Sequence, residues 1–125
     1  TAVIHVGADF MLRSVYQPDL WPHRFEVLGP DGYPKRGRLV PTALAGPLCF
    51  AGDLLARDLP LPDVASGDLI LIRDVGAYTL GLWSRHCSRG MPRVVGHDRG
   101  ERPHLHVLRE RERPADIVRF WSQRP

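Results

Sequence analysis

Lysine is almost missing from this chain. Of 17 Lys plus Arg residues only Lys35 is a lysine, so chemistry that needs a side-chain amine has one candidate. Cysteine is scarce as well: Cys49 and Cys87 are too few for a disulfide framework, have no C-x-x-C spacing, and are expected to be reduced thiols. No stretch approaches the roughly 18 uninterrupted apolar residues of a membrane span. The opening TAVIHV lacks the basic-then-apolar layout of a secretory signal, so a cytoplasmic protein with no membrane partner is expected. No GxSxG, HExxH, Walker or GxGxxG pattern occurs, which removes the commonest stand-alone enzyme signatures. What is plentiful is Gly and Pro, 12 of each in 125 residues; they leave little room for long helices and favour short strands joined by turns. The length predicts one domain, residues 1–125, with a single core.

A net charge of +3 invites a nucleic-acid reading, but 14 acidic residues are interspersed with the basic ones. The densest basic stretch, RERER at 109–113, alternates in sign and carries no stacking aromatics, so no nucleic-acid partner is expected.

Along the chain, VIHV (3–6) reads as a short strand ending at Gly7, followed by ADFMLRSVY as a brief helix or extended segment. HRFEVL (23–28) reads as a strand, and GPDGYP (29–34) as a turn built on Asp31-Gly32. RLVPTALAG (38–46) is extended, LPLPDVASGD (59–68) is broken by Pro and Gly, and LILIR (69–73) has the look of a buried strand. In the segment from Val75 to Trp83 the residues Tyr78, Leu80 and Leu82 alternate with smaller ones, and RVVG (93–96) and HLHVLRE (104–110) add two strand candidates. Only the end looks helical: Pro114 suits a first helical position, and Ile117, Val118 and Trp121 share a face over about ten residues. Six or seven strands with a C-terminal helix make a mainly β protein.

Four places could carry chemistry. Cys49, between Gly46-Pro47 and Gly52-Asp53, is punctuated on both sides and falls on a loop, where a thiol can be exposed; the bland alternative is a buried small hydrophobe. Cys87 has Arg85, His86 and Arg89 as neighbours, groups that lower a thiol pKa when they face it. Tyr78 follows Gly76 and Ala77, small residues that let a ligand approach the backbone, and its phenol can donate to a phosphate; the alternative is an aromatic filling a strand. His104 and His106 share one strand face but have no third ligand in sight, so no metal site is expected.

Between 46 and 89 several of these residues form an ordered series: Gly46-Pro47-Leu48-Cys49, Asp53, Leu61-Pro62, Gly67-Asp68 and Gly76-Ala77-Tyr78-Thr79. The series resembles the C-terminal domain of the pyridoxal-phosphate-dependent ornithine, diaminopimelate and arginine decarboxylases of fold type III. Upstream, the glycine of VIHVGADFMLR resembles the family's strand-ending glycine before an LRP..Y segment, with Arg13 and Tyr16 or His23 as loose counterparts. Downstream, RERERPADIV resembles a closing RRET..D segment.

The resemblance implies an alanine-racemase-like C-terminal β-barrel with short helices. In a complete enzyme such a barrel sits beside a TIM-barrel domain carrying pyridoxal 5'-phosphate on a Schiff-base lysine. Lys35 lies at no matching motif and is expected to be a solvated surface residue. The chain is then expected to be the C-terminal piece of a larger polypeptide, in keeping with Thr as its first residue. The implied partners are that N-terminal domain, a second copy across whose interface the active site forms, and a small amino-acid substrate. Cys49 is implied as the acid that protonates Cα after carbon dioxide leaves, and an ordinary thiol, with a pKa near about 8.5, holds its proton at neutral pH yet can release it. Tyr78 is implied to contact the cofactor phosphate, and Arg13, Tyr16, Phe50 and Asp53 to meet substrate.

Phe50 departs from the pattern, for relatives acting on ornithine or diaminopimelate carry Asp or Glu after the cysteine, and a phenyl ring makes no ion pair with a distal ammonium. Cys87 stands where Asn is expected and His86 where an aromatic is. The favoured reading is a decarboxylase whose substrate is neither ornithine nor lysine. Diaminopimelate decarboxylase proper and a non-catalytic dimerising or regulatory homologue are the alternatives.

Overall fold

The structure, a computed structural model, describes residues 1–98, 100 and 104–122. Its elements in chain order are β1 (Ala2–Val3), α1 (Leu12–Tyr16), β2 (Phe25–Leu28), β3 (Leu39–Ala45), β4 (Leu54–Pro62), β5 (Leu69–Ile72), β6 (Val94–His97), β7 (Leu105–Arg109) and α2 (Pro114–Ser122). The mainly β composition with few short helices is therefore as the sequence predicts. The chain divides into two compact units, Thr1–Ser84 and Arg85–Pro125.

In the first unit β3 is flanked by β1, parallel, and β4, antiparallel, while β2 and β5 pair antiparallel as a second sheet. Among the described residues the ladders make three separate sheets, counting β6–β7, and show no closed barrel. The pairing of β2 with β5 explains their alternation. Phe25 stands opposite Ile72 and Val27 opposite Ile70 on the inner face, while Glu26 on the outer face is bonded by the guanidinium of Arg73. Met11, Val27, Leu44, Leu55 and Leu61 are the buried core, with Ile4, Val6, Phe10 and Phe25 packed on it.

Several readings need correction: the first strand is Ala2–Val3 and not residues 3–6, and Leu69 and Leu71 are exposed, so β5 is half-buried and not a buried strand. Pro60 and Pro62, taken from sequence as breaks, lie inside β4, which continues to Pro62 with Pro41 opposite Pro60. An edge strand has no outer neighbour to demand its N–H groups, and β1 reaches only Leu44 and Ala45 of β3, so Pro41 is equally undemanding. The segment from Val75 to Trp83 is no strand but a tight turn with a single 3-10 turn at Leu80–Leu82. Asp74 and Tyr78 take left-handed φ of 61° and 58° and turn the backbone out of any ladder, so the alternation of Tyr78, Leu80 and Leu82 is spent on a surface turn.

Lys35 is not simply solvated. Its ammonium donates to Asp68 Oδ2 at 2.6 Å, and the same carboxylate accepts the Ala65 N–H at 2.8 Å. The ammonium, then the amide, hold the Asp68 carboxyl below the usual carboxylate range.

In the second unit the antiparallel β6–β7 hairpin precedes α2, whose first turn is closed by the Arg113 N–H donating to Asp116 Oδ2 at 2.8 Å. His104 and His106 meet edge to face with ring centres 4.6 Å apart, and His106 Nε2 lies 2.5 Å from Asp98 Oδ2. Both guanidinium arms of Arg85 bond Glu112 at 2.9 and 3.0 Å, and Glu112 also accepts the Met91 N–H at 2.9 Å. The Arg85 bonds and then the Met91 amide hold its carboxyl at about 2 against an ordinary 4.5.

A carboxylate whose folded pKa lies below its unfolded one stabilises above the unfolded value and loses that contribution as pH falls through the folded one. Here the window runs from 4.5 down to about 2. Glu112→Gln is expected to flatten the stability–pH profile across that window and to cost on the order of 2 kcal/mol at neutral pH. Denaturant unfolding at several pH values checks this; an unchanged profile would remove Glu112 from the acid response.

Candidate active site

The site is organised from a buried carboxylate outward. The segment after β1 turns sharply at Gly7, whose carbonyl accepts the N–H groups of Phe10 and Met11 and so starts the chain into α1. Asp53, just before β4 and 4% exposed, reaches this turn: its Oδ1 accepts the Ala8 N–H at 2.7 Å, and its Oδ2 accepts the Leu48 N–H at 2.7 Å. One carboxylate thus clamps the entry to α1 and the loop between β3 and β4, where Cys49 sits. The space around it explains two glycines: a Cβ on Gly46 would lie 2.2 Å from Asp53 Oδ2, and one on Gly7 2.5 Å from either oxygen. Cys49 follows Leu48 by one residue and is exposed, as the loop reading expects, and Phe50 beside it is also exposed.

On the other arm of the clamp, α1 carries Arg13. Its last turn closes with the Gln17 N–H on the Arg13 carbonyl, and the Leu20 and Trp21 N–H groups then fold back on the Gln17 carbonyl, returning Trp21 toward α1. The Arg13 guanidinium carbon lies 4.4 Å from the centre of the Tyr78 ring and 4.9 Å from that of Trp21. The two rings stand 5.3 Å apart at 82°, so they form a corner around the cation. Among the described residues the Arg13 side chain meets no carboxylate, and its Nε is buried without a hydrogen-bond partner.

The structure therefore brings together Arg13 and Tyr78, predicted separately from sequence. It places Cys49, Phe50 and Asp53 on the other loop, joined to the first group through the Asp53 clamp. Tyr16, one turn beyond Arg13, is exposed at the end of α1. Trp21 was missed; a tryptophan beside Pro22 in a polar stretch was the only signal, and it does not show that the chain folds back.

Tyr78 itself is half exposed and holds a left-handed backbone, a conformation a bulky residue adopts only where its surroundings enforce it. The enforcing contact is next door: the buried Thr79 hydroxyl donates to the Val75 carbonyl and cinches the turn. A Cβ placed on Gly76 would meet nothing within 4 Å, so the backbone before Tyr78 is open to a ligand.

Residues 4–76 match the family model described as pyridoxal-dependent decarboxylase, C-terminal sheet domain. The chain belongs to this family. The match takes in Arg13, Tyr16, Cys49, Phe50 and Asp53 and stops two residues before Tyr78. Among relatives, a diaminopimelate decarboxylase of Actinosynnema pretiosum subsp. auranticum is 43% identical over 117 residues, covering 93% of this chain and 25% of its own. A crystal structure of diaminopimelate decarboxylase from Methanocaldococcus jannaschii superposes with a TM-score of 0.79 at 27% identity, over 98% of this chain and 26% of that one. The Helicobacter pylori enzyme, crystallised in complex with L-lysine, gives a TM-score of 0.73 at 27% identity, over 95% of this chain and 27% of that one. The chain spans about a quarter of the length of these relatives. No helix among the described residues is long and apolar enough to cross a membrane.

Proposed function

We propose that these 125 residues are one domain of a larger pyridoxal-phosphate-dependent amino-acid decarboxylase, the remainder being a TIM-barrel domain that carries the cofactor lysine. The observation that carries the reading is the Arg13 guanidinium held against Tyr78 and Trp21 with no carboxylate of its own among the described residues: a partly buried, uncompensated cation is a receptor for an anion.

The residues present fit the cofactor. An exposed phenol on a turn whose neighbouring Gly76 leaves the backbone open suits a phosphate. Tyr78 would hold that phosphate. When bound, pyridoxal phosphate supplies the sink for the electron pair left on Cα as carbon dioxide departs. Cys49 Sγ holds the proton that replaces the lost carboxylate at Cα, and exposure on a pinned loop leaves the thiol accessible to a substrate lodged between this domain and a neighbouring chain. Arg13 binds a substrate carboxylate and Tyr16 flanks it. Asp53, with both oxygens already on backbone amides, acts by holding the Cys49 loop in place. The assembled enzyme is a cytoplasmic homodimer of chains that carry this alanine-racemase-like domain.

The relatives favour meso-diaminopimelate as substrate, an amino acid with a carboxylate at each end. Phe50 favours a second reading, a substrate whose distal end is apolar or part of a larger molecule, because its exposed ring offers no charge at the position after the cysteine. Carbon dioxide release by the full-length protein with meso-diaminopimelate, lysine, ornithine and arginine separates these. Turnover of meso-diaminopimelate supports the first, turnover only of an amino acid outside the panel supports the second, and failure of the loaded enzyme to decarboxylate any amino acid overturns both. Tyr78→Phe is expected to weaken cofactor retention about 10-fold, read by dialysis and visible absorbance; undiminished retention would remove the phenol from the phosphate contact.

A further inference from the structure

We infer that Trp21 is a positioning residue for Arg13 and sets the affinity of the enzyme for the carboxylate of its amino-acid substrate. The inference rests on the reading that Arg13 binds that carboxylate.

A guanidinium is a flat cation whose N–H groups all lie in its plane, so stacking on a ring face takes up none of its donors. Tyr78 and Trp21 stand at 82° to one another, and Arg13 lies within 5 Å of both ring centres, so the cation can be parallel to only one of them and is blocked in two directions by the pair. An arginine on a five-residue helix would otherwise sample many rotamers in water. Trp21, with Tyr78, restricts that freedom, and Nε of Arg13 is buried with no hydrogen-bond partner among the described residues. A partly desolvated cation that meets no carboxylate of its own interacts with an incoming carboxylate more strongly than a fully hydrated one. The fold commits backbone to this placement, since both the Leu20 and Trp21 amides are tied to the Gln17 carbonyl that ends α1.

Trp21 touches no reacting atom, so its loss falls on binding. In the full-length, cofactor-loaded enzyme, Trp21→Ala is expected to raise the KM for meso-diaminopimelate and the Kd for L-lysine, the latter by calorimetry, each about 10-fold, a size reached by desolvated cation–π contacts. The kcat should stay within about threefold, the signature of lost uniform binding. Trp21→Phe, which keeps a ring against the cation, should restore most of the affinity, and thermal unfolding of both variants reports any loss of folding. In an Arg13→Ala background Trp21→Ala should do nothing more. Unchanged KM and Kd in Trp21→Ala, alongside a raised KM in Arg13→Ala, would overturn the positioning role and leave the Arg13 reading standing. An Arg13→Ala enzyme with normal KM and Kd would overturn the Arg13 reading itself. Equal effects of Trp21→Ala with and without Arg13 would also overturn the coupling, as would failure of phenylalanine to rescue a folded variant.

Discussion

Cys49→Ala in the full-length enzyme is expected to lower turnover by about 10²–10⁴-fold, the range for a lost general acid, while the cofactor stays bound. That corresponds to roughly 3–5 kcal/mol of transition-state stabilisation. The reason is local. Cys49 is exposed and sits one residue beyond Leu48, whose amide is fixed by Asp53, so the thiol is presented on a stable loop instead of being packed as a small hydrophobe. Cys49→Ser is no rescue, because an aliphatic hydroxyl is a far weaker acid than a thiol and releases its proton reluctantly. Product analysis adds a second readout: without the thiol, protonation at Cα from solvent would give slower or misdirected products. Full turnover with unaltered product in Cys49→Ala would take the thiol out of the mechanism.

Asp53→Ala is expected to be the most destabilising change in the Thr1–Ser84 unit, by roughly 2–5 kcal/mol, because it leaves two buried backbone N–H groups, those of Ala8 and Leu48, without acceptors. The usual conservative replacement fails for a geometric reason. Each carboxylate oxygen accepts from a different amide, so Asp53→Asn must turn an NH2 donor toward one N–H, donor against donor. Gly7 and Gly46 lie so close to the carboxylate that an added Cβ on either would clash with it, so the side chain has little room to turn. Denaturant unfolding of the two variants checks the magnitude. Asn matching wild type in stability would show that one amide is already satisfied elsewhere. Because the same carboxylate holds the α1 entry and the Cys49 loop, the variants should lose activity even where they remain folded.

Much of the strand content was legible because period 2 reports a half-buried sheet: the run from Phe25 to Leu28 and that from Leu69 to Ile72 alternate, pair with each other and bury Val27, Ile70 and Ile72 on one side. The same rule misled at Tyr78, Leu80 and Leu82, where alternation survives without a partner strand and left-handed residues at Asp74 and Tyr78 make a turn. It misled in the other direction at Pro60 and Pro62, since a proline forbids only those ladder bonds that a neighbouring strand requests, and the order of strands in a sheet is no local property.

For the candidate site the division is similar. Residue types and their order along the chain, from the Gly46–Cys49 motif through Asp53 to Gly76–Tyr78, were enough to point to the family and to put Cys49 and Tyr78 forward as candidates, because chemistry selects side chains one at a time. Sequence also located the turns that present them, through the glycines and prolines that bracket each. What only the tertiary structure decided is who stands beside whom. Arg13 and Tyr78 are 65 residues apart in the chain and 4.4 Å apart in space, Trp21 completes their corner, and Asp53 links two turns through the Ala8 and Leu48 amides. Such contacts are closed by the packing of β2–β5 and β3–β4 around one core, and a cation's strength as an anion receptor depends on the water and partners it lacks, which no single residue in the sequence records.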